Sequence, residues 1–174
     1  MSTPIFLIGP MASGKSAVGA LVAALLGTEL IDTDARVVAA HGDIPSIFAA
    51  GGEPRFRALE AQALSDAVKK WPASGPPAVI ATGGGAVLAA ANREIIASGF
   101  CVYLFTDALT VAPRIGADTT RPLLGGTPLE SWKQIFATRS ETYESLAALR
   151  IDTRGKTPAQ IAELILTAYS DAEH

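Results

Sequence analysis

The sequence predicts a parallel, doubly wound α/β sheet, and three observations support this fold class. Short apolar runs alternate with longer helical patterns over most of the 174 residues, as in a chain of βα units. The run at 100–105 is almost wholly apolar, as expected for a strand that is covered on both faces. Polar residues and glycines gather where the predicted strands end, which is where such sheets bind ligands.

The first predicted unit is a strand at 5–8, a glycine-bounded loop at 9–16 and an Ala/Leu-rich helix at 17–26. The loop, Gly-Pro-Met-Ala-Ser-Gly-Lys-Ser, fits G-x-x-x-x-G-K-[ST] at every fixed position. Its backbone N–H groups and the positive end of the helix dipole form an anion site. Lys15 would reach the terminal phosphates, and the Ser16 hydroxyl would ligate Mg²⁺. A chance match is the alternative, but both flanks favour nucleoside triphosphate binding.

The rest of the chain continues the alternation. Further strands are predicted at 29–31, 78–81, 100–105 and 150–152, and further helices in pieces over 35–50, from Pro54 to about 70, at 88–98, up to about 115, at 129–148 and at 158–169. Pro54 suits the first turn of its helix, because the N–H that proline lacks has no partner there. No repeat or domain linker interrupts the pattern, so we expect one domain over 1–174.

Composition narrows the class of protein. Hydrophobic residues make up 49% and charged residues 18% of the chain, which is typical of a compact globular domain. The net charge of -3 argues against a nucleic-acid partner, which would favour a basic chain. The single cysteine, Cys101, excludes an internal disulfide, and we expect it to be a small core residue.

The N-terminal residues Met-Ser-Thr-Pro lead straight into the first strand, without the basic and apolar regions of a secretory signal. The longest apolar stretch lies in the first predicted helix and is too short to span a bilayer. We therefore expect a cytoplasmic protein with no membrane partner. Separately, we expect a monomer, although no sequence feature specifies the oligomeric state.

Two carboxylates, Asp32 and Asp34, come at the end of the second predicted strand. Their alternating positions suit two tasks: one holds the metal through water, and the other faces an acceptor hydroxyl and takes its proton. Alternatively, Asp34 is the N-cap of a helix that begins at Ala35. The two interpretations are compatible.

Charged side chains recur on the predicted helices. Arg57 and Glu60 lie three residues apart on one face and could pair. Such residues are either a solvated face or an arginine held by a glutamate to receive a ligand carboxylate, and the spacing does not decide between them. Arg139 with Tyr143, at i and i+4, is a candidate for another anion contact.

Three consecutive glycines, 83–85, follow the predicted strand at 78–81. Without side chains, the backbone there can approach a ligand closely or take a positive φ. A sharp turn alone needs fewer glycines, so we favour close approach to a ligand.

Arg114 and Arg121 flank a polar segment with glycines on both sides. The segment either closes over the nucleotide and brings an arginine to the transferring phosphoryl group, or it is an exposed loop with incidental arginines.

Together these residues resemble the shikimate kinase family over nearly the whole chain. The matching pieces are residues 9–16, Asp32-Thr-Asp34, residues 47–60, Thr-Gly-Gly-Gly at 82–85, Arg121-Pro-Leu-Leu, and Arg139 with Tyr143. The resemblance implies a three-layer P-loop kinase fold with a five-stranded parallel sheet flanked by helices, a helical substrate-binding region at about 33–61 and a lid at about 114–127. It also implies phosphorylation of the shikimate 3-hydroxyl by ATP with Mg²⁺, on the route to chorismate and the aromatic amino acids.

The resemblance implies a role for each candidate residue. The nucleotide-binding residues would be Gly9, Ala12, Ser13, Gly14, Lys15, Ser16, Ala17, Arg114, Arg121, Lys156 and Pro158. The shikimate-binding residues would be Asp34, Arg57, Gly83, Gly84, Gly85 and Arg139. Ser16 and Asp32 would hold the Mg²⁺, and Lys15, Asp34 and Arg121 would be the catalytic residues.

The chain departs from the family pattern at three places. Inside the loop, the family commonly has glycine where Ala12 stands and often threonine where Ala17 stands. Neither change removes a required group, but alanine at position 12 narrows the allowed backbone. Before Tyr143 the family often has Pro-Leu in place of Glu141-Thr142, and near the C-terminus its basic position beside the adenine would fall on Lys156, with Arg154 nearby.

Two other functions fit parts of the pattern. A related small-molecule kinase, such as a gluconate kinase, would share the loop and the lid. A non-catalytic nucleotide-binding regulator would share the loop, but it has no need of an acceptor-side carboxylate such as Asp34.

Overall fold

A computed structural model describes residues 2–72, 74–116, 122–124 and 126–173. Its strands are β1 (Ile5–Ile8), β2 (Leu30–Asp32), β3 (Val79–Ala81), β4 (Phe100–Phe105) and β5 (Leu149–Asp152). They form one sheet in the order β2-β3-β1-β4-β5, and every neighbouring pair is parallel. The predicted fold class is confirmed.

Helices cover both faces of the sheet. They are α1 (Lys15–Leu25), α2 (Thr33–His41), α3 (Ile44–Lys69), α4 (Ala90–Ala97), α5 (Ala108–Ile115), α6 (Pro128–Leu146) and α7 (Pro158–Ala172). Alternate residues of β1 point to opposite faces: Ile5 and Leu7 pack with α1 and α7, whereas Phe6 and Ile8 pack with α3 and the helices beside it. Two apolar cores therefore enclose the sheet in three layers. None of the described helices is long and apolar enough to cross a membrane.

Local sequence sets several boundaries. The helix α1 begins at Lys15, two residues earlier than predicted, directly after Gly14 at φ 90°. The helix α3 extends from Ile44 across Gly52, whose φ of 68° breaks the helical geometry. Pro54 therefore starts the second half of α3, as the sequence predicts for this residue.

The topology gathers the polar segments at one edge. Because the strands are parallel, their carboxyl ends meet on the same side of the sheet. The loop after β1, the start of α2 after β2, and the glycines after β3 therefore lie side by side. Cys101 is buried in β4 with no disulfide partner, which confirms its place in the core.

Candidate active site

A cleft of about 740 Å³ lies at the carboxyl ends of β1, β2 and β3. The predicted site residues in its lining are Ala12, Gly14, Lys15, Ser16, Ala17, Asp32, Asp34, Arg57, Gly83, Gly84, Gly85, Arg114, Arg139 and Pro158. Gly9 and Ser13 belong to the same loop, Ser13 being buried. Lys156 lines a separate depression with Gln160, and Arg121 lies outside the described residues.

The glycines of the first loop are required by its backbone. Gly9 has a φ of 144°, and a Cβ there would lie 2.7 Å from the carbonyl oxygen of Leu104 in β4. Gly14 has a φ of 90° where the loop enters α1. Both positions favour glycine, so the loop curls at the N-terminus of α1 in the way an anion site requires.

The ammonium of Lys15 lies across this loop. Its Nζ donates hydrogen bonds to the carbonyl oxygens of Gly9 and Pro10, both at 2.8 Å, and to the Ser13 hydroxyl at 3.3 Å. The positive charge is thus held within the phosphate site by the loop itself. Its flexible stem allows it to turn toward an incoming phosphate.

A hydroxyl and a carboxylate meet beside the loop. The Ser16 Oγ donates to Asp32 Oδ2 at 2.5 Å. Among the described residues no group of three or more His, Cys, Asp or Glu side chains could hold a metal. The pair nevertheless fits Mg²⁺, which takes oxygen ligands and is usually held by one or two protein groups with waters and substrate phosphates.

The two aspartates after β2 have different surroundings. Asp32 is the N-cap of α2, because its Oδ1 accepts a hydrogen bond from the Ala35 N–H at 3.0 Å. The interpretation of Asp34 as the cap was therefore wrong. Asp34 lies in the first turn of α2 and lines the cleft.

The glycine triplet makes room for charged side chains. A Cβ on Gly83 would lie 2.6 Å from Asp34 Oδ1 and would also collide with Glu60, and a Cβ on Gly85 would collide with the Arg57 guanidinium. None of the three glycines has a positive φ, so a positive φ, the alternative that the sequence did not favour, is wrong for this triplet. The absent side chains leave space that Asp34, Glu60 and Arg57 occupy.

Arg57 is held from two sides. Its Nη1 donates to Glu60 at 2.8 Å, while Nε and Nη2 donate to Glu53 at 3.2 and 3.1 Å. Of the two interpretations left open by the spacing, the structure therefore supports an arginine held by glutamates. The sequence analysis missed Glu53, although its i, i+4 spacing to Arg57 could have indicated the pair.

A second arginine lies near the first. Arg139 is buried on α6 and interacts with the side chains of Tyr143 and Glu60. The Tyr143 hydroxyl donates to the carbonyl oxygen of Gly84 at 2.5 Å, and its ring stacks on Tyr103 with centroids 5.2 Å apart. Tyr143 therefore holds both the glycine segment at 83–85 and the buried guanidinium of Arg139.

Glu60 is fully buried among these charges. Burial raises the pKa of Glu60 from 4.5 to about 6, the nearby Arg57 opposes this shift, and the Asp34 charge adds to it. Because the folded state binds this proton more tightly than the unfolded state, the contribution of Glu60 to stability is complete below pH 4.5. It is lost as pH rises through about 6.

We therefore expect Glu60→Gln to change the pH dependence of unfolding. Relative to the variant, the wild type should lose about 2 kcal/mol of unfolding free energy between pH 4.5 and 7, measured by urea denaturation. Glu130→Gln, which changes an exposed residue on α6, controls for the loss of one carboxylate. A difference between wild type and Glu60→Gln that stays constant over this range would contradict the assignment.

An apolar wall completes the cleft, and the sequence analysis did not find it. Its residues are Val38, Ile44, Phe48 and Phe56, and the Phe48 and Phe56 rings lie 5.5 Å apart. Apolar residues on α2 and α3 cannot be told from core residues by spacing alone. The cleft therefore combines an anion-binding loop with a pocket that is apolar on one side and cationic on another.

The fold and this cleft define a P-loop kinase that acts on a small molecule. A model of the shikimate kinase family matches residues 11–170. A shikimate kinase from Streptomyces coelicolor is 39% identical over 170 residues, which cover 97% of this chain and 96% of the relative. The chain belongs to the shikimate kinase family.

Comparison with solved structures supports this family assignment. The shikimate kinase from Acinetobacter baumannii in complex with shikimate superposes with a TM-score of 0.90 at 34% identity, over 98% of this chain and 94% of that chain. A gluconokinase from Sinorhizobium meliloti has a TM-score of 0.59 at 20% identity, over 98% of this chain and 93% of that chain, and this likeness shows the fold alone. The prediction of a kinase with an alcohol group as acceptor is confirmed.

Proposed function

We propose that this protein transfers the terminal phosphoryl group of ATP to the 3-hydroxyl of shikimate. The observation that carries the proposal is one cleft in which the loop with Lys15 is joined to a pocket containing Asp34, Arg57 and Arg139. A phosphate donor and a small anionic acceptor can therefore be bound in contact with each other. Apposition of this kind is the main requirement for phosphoryl transfer.

The acceptor pocket suits shikimate chemically. A guanidinium presents a planar fork that matches a carboxylate, and Glu53 and Glu60 keep the Arg57 fork in place. With Arg139 on α6, it would bind the shikimate carboxylate. The apolar wall that includes Phe48 and Phe56 suits the carbon ring of shikimate better than the flexible chain of gluconate.

The transfer step needs few protein groups. The oxygen of the acceptor hydroxyl forms a bond to the γ-phosphorus as the bond from that phosphorus to the β,γ-bridging oxygen breaks. The proton of the hydroxyl passes to the Asp34 carboxylate, which also orients the hydroxyl. Lys15 and the loop N–H groups stabilise the charge on the phosphate oxygens, and we propose that Arg121 in the lid does the same.

We propose that Ser16 and Asp32 hold Mg²⁺ together with the nucleotide, where the ion would neutralise charge on the phosphates. Arg114 and Pro158 would flank the adenine, and Lys156 stays a prediction for the same role. The substrate-binding region at 33–61 and the lid at 114–127 also stay predictions. We further propose that the protein acts as a monomer in the cytoplasm.

Arg57→Lys tests the acceptor site. Lysine keeps the positive charge but loses the bidentate fork, so the KM for shikimate should rise about tenfold, with the KM for ATP changed by less than twofold. Arg55→Lys is the matched control, because Arg55 is an exposed residue on the same helix. An unchanged acceptor KM in the Arg57 variant would remove Arg57 from the carboxylate site.

A panel of acceptors tests the function itself. Purified protein with ATP and Mg²⁺ is given shikimate or gluconate, and ADP formation is followed in a coupled assay. We expect ADP formation that depends on shikimate. Turnover with gluconate alone would replace the proposal by a gluconate kinase activity, and nucleotide binding without turnover on either acceptor would favour a regulatory role.

A further inference from the structure

Trp132 on α6 is in direct contact with the first loop. Its side chain is 2% exposed, and its indole Nε1 donates a hydrogen bond to the carbonyl oxygen of Met11 at 2.9 Å. The ring stacks on Phe136 with centroids 4.9 Å apart and packs with Val111 of α5. The indole is therefore fixed in place, and its N–H points at the loop.

The next residue, Ala12, has a backbone conformation that alanine rarely adopts. Its φ is 63°, and among the described residues it is the one non-glycine residue with a positive φ. Glycine takes this conformation without steric cost, whereas alanine does not. Contacts from residues around the loop must therefore hold Ala12 in the left-handed conformation.

Hydrogen bonds on both sides of Ala12 supply that restraint. Trp132 holds the carbonyl before it, and Arg114 Nη1 donates to the carbonyl of Ala12 itself at 2.8 Å. The Ala12 and Met11 side chains also pack against the apolar cluster around Trp132. Because the peptide planes on each side are both held, the φ and ψ angles of Ala12 are fixed together.

The direction of one N–H follows from this geometry. The Met11 carbonyl and the Ala12 N–H belong to the same peptide, and the described residues contain no cis peptide bond. In a trans peptide the two groups point in opposite directions. With the carbonyl turned toward Trp132, the N–H is turned away from it, and Ala12 lies in the wall of the cleft.

We propose that Trp132 is a positioning residue of the nucleotide site, which keeps Ala12 in its left-handed conformation and so keeps the Ala12 N–H directed at the phosphates. The inference rests on the proposed function, since it assumes that the cleft binds a nucleotide. It adds a residue of α6 to those that shape the phosphate-binding loop, and it explains how this chain accommodates alanine at position 12.

Trp132→Phe keeps the aromatic ring and removes the N–H donor. We expect ADP to bind about five- to tenfold more weakly by calorimetry, and the KM for ATP to rise in parallel. The KM for shikimate should change by less than twofold. Trp71→Phe is the matched control, because the Trp71 indole also donates to a backbone carbonyl, that of Pro76 at 3.1 Å, and does not line the cleft.

A double-mutant cycle separates positioning from simple packing. In an Ala12→Gly background the left-handed conformation has no steric cost, so Trp132→Phe should weaken ADP binding by no more than about twofold. A purely structural role for the indole would give the same loss in both backgrounds. If Trp132→Phe alone is not recovered folded, the test is the comparison of ADP affinity between Ala12→Gly and the double variant Ala12→Gly/Trp132→Phe.

Unchanged ADP affinity in Trp132→Phe, an equal loss for ADP and shikimate, or an equal effect in both backgrounds would overturn the inference. In the fallback comparison, a loss much larger than twofold would overturn it as well. Failure of the proposed function is distinguishable, because the wild-type protein itself would then bind no ADP or transfer no phosphate to shikimate.

Discussion

Lys15→Ala is expected to lower kcat/KM for ATP by about 10³-fold or more, which is the largest effect of any substitution considered for this protein. The ammonium already lies within the phosphate site, where three oxygen atoms of the loop hold it. In the transition state its charge would act on the phosphate oxygens in a cleft that is partly screened from water. Alanine removes that charge without adding bulk.

Steady-state kinetics with ATP as the varied substrate measures this effect. Lys70→Ala is the control, since Lys70 pairs with Asp66 at 2.9 Å on the exposed end of α3, and its turnover should match the wild type. Because Lys15 also braces the loop, thermal unfolding of the variant must be measured in parallel. A folded Lys15→Ala protein with kcat/KM within tenfold of the wild type would contradict its catalytic role.

Asp34→Asn is expected to lower kcat by about 10²-fold or more, with ADP affinity nearly unchanged. Asparagine is close to aspartate in size, but it does not accept the proton of the acceptor hydroxyl. The position lines the cleft beside Glu60 and Gly83, so a change of charge there acts on the acceptor side. It leaves the loop that contains Lys15 unaltered.

The matched control for this substitution is Asp43→Asn. Asp43 is the N-cap of α3 and accepts a hydrogen bond from the Ser46 N–H at 2.7 Å, a role that asparagine performs equally well. Its kinetics should therefore equal those of the wild type. Turnover by Asp34→Asn at the wild-type rate would refute the role of Asp34 as the proton acceptor.

The parts of the site that could be predicted are those that local sequence fixes. The motif at 9–16 specifies a loop whose glycines need positive φ angles, and the structure places Gly9 and Gly14 in that region. Arg57 and Glu60 were predictable as a pair because three residues separate them on one helix. In each case the interaction partners lie within a few turns of the chain.

The parts that could not be predicted depend on contacts between distant segments. Trp132 and Met11 are 121 positions apart, and no local pattern links them. The need for glycine at 83 and 85 comes from Asp34, Glu60 and Arg57, which reach these positions only when the sheet brings β2 and β3 together. Asp32 rather than Asp34 caps α2 because the helix begins at Thr33, directly after β2 and two residues earlier than predicted.

In the fold, too, the features that could be predicted are those that local sequence determines. The order of strands and helices follows from apolar periodicity, and all five predicted strands are present. The gap predicted between the helical pieces up to residue 50 and the helix from Pro54 is present as the break at Gly52 inside α3. The φ of 68° at Gly52 turns the chain just before the half of α3 that contains Arg57, and Arg57 lines the cleft.

The most direct test of the central claim is identification of the phosphorylated product. Wild-type protein, ATP, Mg²⁺ and shikimate are incubated together, and the mixture is followed by ³¹P and ¹H NMR. The account predicts ADP and a phosphate monoester coupled to the proton on carbon 3 of shikimate, in equal amounts and only when shikimate is present. No shikimate-dependent ADP, or an ester at another hydroxyl, would contradict it.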